Sequence, residues 1–89
     1  MDDADLNLAA TLTVNGAYSL TGQACTGTSR VIVIKEVKDQ FVQKLIEKTS
    51  ALKVGNGFEA GVKIGPLANE KQLKNTLKYI ELGKEDGAE

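Results

Sequence analysis

Residues 21–34 read Thr21-Gly22-Gln23-Ala24-Cys25-Thr26-Gly27-Thr28-Ser29-Arg30-Val31-Ile32-Val33-Ile34, and the change of character along this stretch sets the expectation for the fold. The first part is mostly small and hydroxyl-bearing residues; the second is four consecutive β-branched ones. With no polar alternation, Val31 to Ile34 predict a strand buried on both faces, as in a parallel or mixed sheet. Such a strand needs partners. Gly61-Val62-Lys63-Ile64 is the only other candidate strand, and it is short. Cys25, the only cysteine, therefore stands in a loop leading into a sheet.

Gly22 and Gly27 bracket the cysteine, and glycine permits both a positive φ and the close approach of another group. A cysteine used as core filler sits among Leu, Ile and Val, where it is inert. Here the neighbours are Ala24 and Thr26, so the context reads as a presented thiol. The alternative is a buried, unreactive cysteine, since the residue type is among the most often buried.

Outward from this stretch, helical patterns lie on both sides. Upstream, Leu6, Ala9, Ala10, Val14 and Ala17 recur at helical spacing, and Asp2-Asp3 are placed to cap a helix running to about Tyr18. Thr11, Thr13, Asn15 and Gly16 are poor helix formers, so packing must hold its second half. Downstream, Val37, Phe41, Val42, Leu45, Ile46 and Leu52 predict an amphipathic helix from about Lys38 to Leu52. Val54 to Pro66 is a glycine-rich connection in which Pro66 pushes Gly65 towards extended backbone. Asn69 and Gln72 have capping-pair spacing, and Leu73, Leu77 and Ile80 mark a last helix ending near Gly83 or Gly87. The expected class is α/β, with about three helices and one or two strands.

With 11 basic and 12 acidic side chains interspersed, the chain has no basic field to hold nucleic acid. Its longest apolar run, Val31 to Ile34, is too short to cross a bilayer, and the acidic amino terminus is unlike a signal peptide; a cytoplasmic protein without a membrane partner is expected. One cysteine makes no internal disulfide, and the lack of histidine removes the usual zinc ligands. The Asp2, Asp3 and Asp5 cluster reads as helix capping rather than as a metal site.

The run Gly22-Gln23-Ala24-Cys25-Thr26 with Ser29-Arg30 resembles the nucleophile segment of the NAD(P)-dependent aldehyde dehydrogenase superfamily. Asp3-Ala4-Asp5-Leu6, Phe41-Val42, Leu52-Lys53-Val54-Gly55, Ile64-Gly65-Pro66-Leu67, Tyr79-Ile80 and Gly87-Ala88 follow in the family's order and spacing, so essentially all 89 residues are covered. The resemblance implies that residues 1–89 are part of the family's catalytic domain, with the nucleotide-binding domain and the oligomerisation element not among them. Ser19-Leu20-Thr21 departs from the commoner wording, in which an aromatic and an Asn often precede the Gly-Gln pair. The variant is similar to semialdehyde dehydrogenases, those acting on 2-oxoglutarate or succinate semialdehyde.

The resemblance also implies a chemistry. Cys25 corresponds to the thiolate that attacks an aldehyde carbonyl; the thiohemiacetal then gives hydride to NAD or NADP, and water cleaves the resulting thioester. A thiol of ordinary pKa is only a few per cent ionised at neutral pH, so a helical turn after Cys25, with its amides facing the sulfur, is expected to help. The Cys25 N–H corresponds to one oxyanion donor. Gln23 and Gly22 either shape the turn that presents the thiol or form a plain surface turn. Thr26 either lines the substrate pocket or satisfies a local carbonyl. Arg30 reads as a structural ion pair rather than a substrate ligand.

The family's general-base Glu, its second oxyanion donor Asn and its dinucleotide site match no position here, so the isolated chain is expected to bind no NAD or NADP and to be inactive. The competing expectation is a non-catalytic α/β module that pairs with another copy or a partner through an exposed strand edge.

Overall fold

The computed structural model describes residues 3–88. Three helices and one small parallel sheet follow in the order α1 (Leu6–Tyr18), a tight turn at Ser19–Gly22, α2 (Lys38–Ser50), β1 (Lys53–Val54), β2 (Val62–Ile64) and α3 (Glu70–Glu85). The α/β class with three helices holds.

Helix α1 starts at Asp5, whose side-chain carboxylate accepts the Asn7 and Leu8 N–H groups at 2.8 and 3.0 Å. The cap is thus Asp5 rather than the Asp2-Asp3 pair: Asp3 is exposed in a turn ahead of the helix, and Asp2 lies outside the described residues. These two amide bonds lower the Asp5 pKa, with the Leu8 bond the larger influence and the Lys44 and Lys48 charges of α2 adding to it.

Helices α1 and α2 pack together, and the core is theirs. Ala10 and Val14 from α1 and Phe41 from α2 are its buried residues. The helix-poor half of α1 is held by this contact, because Val14 is buried in it and Gly16 beyond it lies against the loop after the cysteine. A Cβ on Gly16 would run into Thr28 Oγ1, and the Thr28 N–H donates to the Gly16 carbonyl at 3.1 Å.

Val31 to Ile34 do not form the expected strand. No ladder partner reaches them among the described residues, and Ile32 is fully exposed. The physical reason is the one that made the strand demanding: a run meant to be covered on both faces has nothing here to pair with. The pairing occurs instead within the glycine-rich connection, where β1 runs parallel to β2 with Lys53 opposite Val62 and Val54 opposite Ile64. The candidate strand at 62–64 is therefore present, and its partner β1 was not anticipated.

Parallel neighbours usually require a crossover of a dozen or more residues, yet residues 55–61 suffice here. Asn56 Oδ1 accepts the Phe58 N–H at 3.1 Å, the Asn56 carbonyl accepts the Glu59 N–H at 2.9 Å, and Gly61 turns the chain at φ +80°. Lys53 closes the loop by an ion pair to Glu59 at 3.4 Å.

Helix α3 is capped by Asn69, whose Oδ1 accepts the Gln72 N–H at 3.0 Å. It ends in a left-handed Gly87, φ +86°, with the Ala88 N–H on the Gly83 carbonyl at 2.9 Å and the Gly87 N–H on the Lys84 carbonyl at 3.0 Å, a Schellman motif. The start signal at Asn69 and the end signal at Gly87 are used, while Gly83, the other candidate end, lies within the helix. No residue of α3 is buried, and Leu73, Leu77 and Ile80 are left about half exposed.

The accessible surface, 7382 Å², is well above the roughly 5,000 Å² of a compact monomer of this mass. The radius of gyration, 15.1 Å, compares with about 12 Å for a compact domain of this length. Apolar faces of α2, α3 and the 31–34 run are thus left uncovered.

Candidate functional site

Helix α1 stops at Ser19, and the chain then enters a conformation that L-residues avoid. Leu20 (φ 50°, ψ 37°) and Thr21 (φ 62°, ψ 30°) are both left-handed, and Gly22 follows at φ +73°. Glycine adopts this region freely, but Leu and β-branched Thr do so at a cost of about 1–2 kcal/mol each.

Four hydrogen bonds hold the turn. The Leu20 carbonyl accepts the Gln23 backbone N–H at 3.1 Å and Gln23 Nε2 at 3.2 Å. Thr21 Oγ1 accepts the Gly65 N–H at 3.3 Å, and Gln23 Oε1 accepts the Ala68 N–H at 2.9 Å. At about 1 kcal/mol apiece, the four are of the same size as the left-handed penalty.

The next turn carries the thiol. The Ala24 carbonyl accepts the Gly27 N–H at 3.0 Å, which places Cys25 and Thr26 at the turn's two central positions. Both are exposed, and Ala24 beside them is half-buried. A Cβ on Gly27 would approach the Ala24 carbonyl to 3.0 Å, so the turn closes tightly because residue 27 has no side chain.

The helical turn expected after Cys25 is a single turn and goes no further. The Gly27 and Thr28 amides are engaged by the Ala24 and Gly16 carbonyls. The Cys25 and Thr26 amides are taken up by no backbone carbonyl among the described residues.

Gln23 lies at the join between this turn and the approach to α3, while Thr26 is exposed. Arg30 is exposed and takes no carboxylate partner among the described residues, so the expected ion pair is not made. An exposed guanidinium stays hydrated and needs none. Among the described residues no group of three or more His, Cys, Asp or Glu comes together, and no helix is long and apolar enough to cross a membrane.

The ties of Thr21 to Gly65 and of Gln23 to Ala68 were not foreseen. They span 44 and 45 residues, and no local pattern signals a contact at that separation. An open cleft lies between the two segments, lined by Thr21, Gly22, Gln23, Leu67, Asn69 and Gln72. Its lining carries no charged side chain.

The model of the Aldehyde dehydrogenase family matches residues 1–89. The chain is 46% identical over 87 residues to the alpha-ketoglutaric semialdehyde dehydrogenase of Bacillus subtilis, covering 98% of this chain and 18% of the relative. It is 52% identical over 85 residues to the 2,5-dioxopentanoate dehydrogenase of Saccharolobus solfataricus, covering 96% of this chain and again 18% of the relative. In space it superimposes on the NAD+ complex of an aldehyde dehydrogenase from Bacillus cereus with a TM-score of 0.88 and 36% identity, covering 98% of this chain and 18% of that one. The chain thus spans about a fifth of the length of the relatives it matches.

Proposed function

Because the chain belongs to the aldehyde dehydrogenase family, we propose that it carries the nucleophile of an enzyme that oxidises an aldehyde to a carboxylic acid, with Cys25 as that nucleophile. The observation that supports this most is the turn itself: an exposed thiol at the centre of a tight turn whose own amide is not used by a backbone carbonyl. The Cys25 thiolate adds to the carbonyl carbon, and the carbonyl oxygen takes up the negative charge against the Cys25 N–H. A preorganised donor of this kind is typically worth 10²- to 10³-fold in rate. NAD or NADP, when bound in the whole enzyme, supplies the hydride acceptor; water then cleaves the thioester and frees the acid.

Gln23 supports this site by fixing the Leu20 carbonyl and the Ala68 amide, and Thr26 lies on its open side, where a substrate chain enters. Residues 1–89 form part of the catalytic domain in this reading, and the dinucleotide is held by residues other than these. By itself the 89-residue chain is expected to produce no NADH or NADPH. The names of the relatives at 46% and 52% identity favour a semialdehyde as substrate.

The test is a chimera in which residues 1–89 replace the matching segment of the Bacillus subtilis relative. Turnover of 2-oxoglutarate semialdehyde by the chimera, and its loss in Cys25→Ala, supports the proposal; a well-folded chimera that binds NAD+ and does not turn over contradicts it.

The excess surface favours a second reading, in which the uncovered faces and the 31–34 edge pair with another copy of the chain. Light scattering of the isolated chain decides this: a defined dimer supports it and a monomer removes it.

A further inference from the structure

The left-handed pair Leu20-Thr21 is one turn of chain away from Cys25, and two of the four bonds that hold it come from outside its own loop. Both donors, the Gly65 and Ala68 amides, lie on the segment between β2 and α3. This segment, Gly65-Pro66-Leu67-Ala68, contains no regular structure that would use its own amides. Pro66 has no N–H to offer and restricts Gly65 to extended backbone.

The arrangement is therefore reciprocal. The Gly65 and Ala68 amides find their acceptors on the cysteine loop, and the cysteine loop keeps a disfavoured conformation because those amides are there. The Thr21 to Gly65 bond is the part-buried one of the two. A strained turn persists only where its surroundings over-determine it, and here part of the determination is supplied 44 residues downstream.

We infer that the Gly65–Ala68 segment positions Cys25, acting through Thr21 Oγ1 and Gln23 Oε1. Thr21 is then a positioning residue: it sets where the turn that carries the thiol begins, and it touches no reacting atom. The inference rests on the reading of Cys25 as nucleophile for its meaning in catalysis. The coupling itself is a property of the unliganded chain and is tested there.

The perturbation is Thr21→Val, which keeps the β-branched shape and removes the acceptor, with Thr21→Ser restoring it. Three quantities are read on the full 89-residue chain: the far-UV circular dichroism, hydrogen exchange at the Gly65 amide, and the iodoacetamide rate of Cys25 from pH 6 to 10, which separates thiolate fraction from thiolate reactivity. Thr21→Val is expected to keep the helical signal, to speed Gly65 exchange, and to shift the limiting alkylation rate about three- to tenfold, the population change that one lost hydrogen bond produces. Thr21→Ser is expected to bring exchange and alkylation back to within about twofold of the original values.

An unchanged Cys25 rate–pH profile with a freed Gly65 amide overturns the coupling. So does loss of the helical signal in Thr21→Val, which makes the bond merely structural, a Gly65 amide with no protection in the unmodified chain, or a failure of Thr21→Ser to restore. An inactive chimera alongside a positive result here removes the catalytic reading and leaves the coupling standing.

Discussion

Replacing Leu20 by Asn should stabilise the chain, although Leu20 lies beside the residues the site depends on. At φ 50° and ψ 37° its β-carbon crowds the following carbonyl, a penalty of about 1–2 kcal/mol that Asn largely escapes because its short polar side chain bonds locally. The loss to set against this is small. Leu20 is 77% exposed, so at most about a quarter of the ~2 kcal/mol of a fully buried Leu is forfeited. The net expectation is a gain of about 1 kcal/mol, which for a domain of this size raises Tm by ~5 °C. The assay is urea and thermal unfolding followed by far-UV circular dichroism, with Leu20→Ala as control. Alanine loses the same contacts and keeps the left-handed penalty, so it should fall slightly below the unmodified chain. A Leu20→Asn variant no more stable than Leu20→Ala would refute the strain argument, and with it the need for the bonds that hold the turn.

Gly16→Ala should destabilise the chain, despite the roughly 1 kcal/mol that alanine gains over glycine inside a helix, because its Cβ meets both Oγ1 and Cβ of Thr28; in a Thr28→Gly background, where both atoms are gone, the same change should become stabilising, as a double-mutant cycle in urea would show. Phe41→Ala removes the one large side chain among the three buried residues, so a loss of about 3 kcal/mol is expected, and a smaller shift in the urea midpoint than about 1 kcal/mol would mean the α1–α2 contact is not the core. Asp5 has its pKa lowered by the Leu8 and Asn7 amides. Its contribution is therefore fully present above the ordinary carboxylate pKa and is lost as pH falls through the lower folded value, so exchange protection early in α1 should decline in acid and should not do so in Asp5→Asn.

The helices were legible because their signals are local. Phe41, Leu45 and the Asn69 and Gln72 spacing mark α2 and the start of α3, and the structure places these elements at Lys38–Ser50 and Glu70–Glu85. The α1 cap was displaced from Asp2-Asp3 to Asp5 because the residue that caps is the one whose oxygen reaches the first free amides, and composition does not distinguish among neighbouring aspartates.

The sheet was read less well, since strand formation depends on partners. Val31 to Ile34 have the stronger strand composition and stand unpaired, while Lys53-Val54 pair because the Asn56 turn and Gly61 bring Val62 to Ile64 alongside. At the site, the exposure of Cys25 was legible from its small neighbours. The left-handed backbone at Leu20 and Thr21 was not: both are residue types that avoid it, and what holds them lies more than forty residues away.

The central claim, that Cys25 is the carbonyl-attacking thiol, is tested most directly by trapping the acylated enzyme. The chimera described above, mixed with semialdehyde and NAD+ and quenched in acid during the first turnovers, would be digested and its peptides weighed. An acyl group, of the mass of the product acid less water, is expected on the peptide that contains Cys25 and on no other. Turnover with an unmodified Cys25 peptide, or turnover that survives Cys25→Ala, would contradict it.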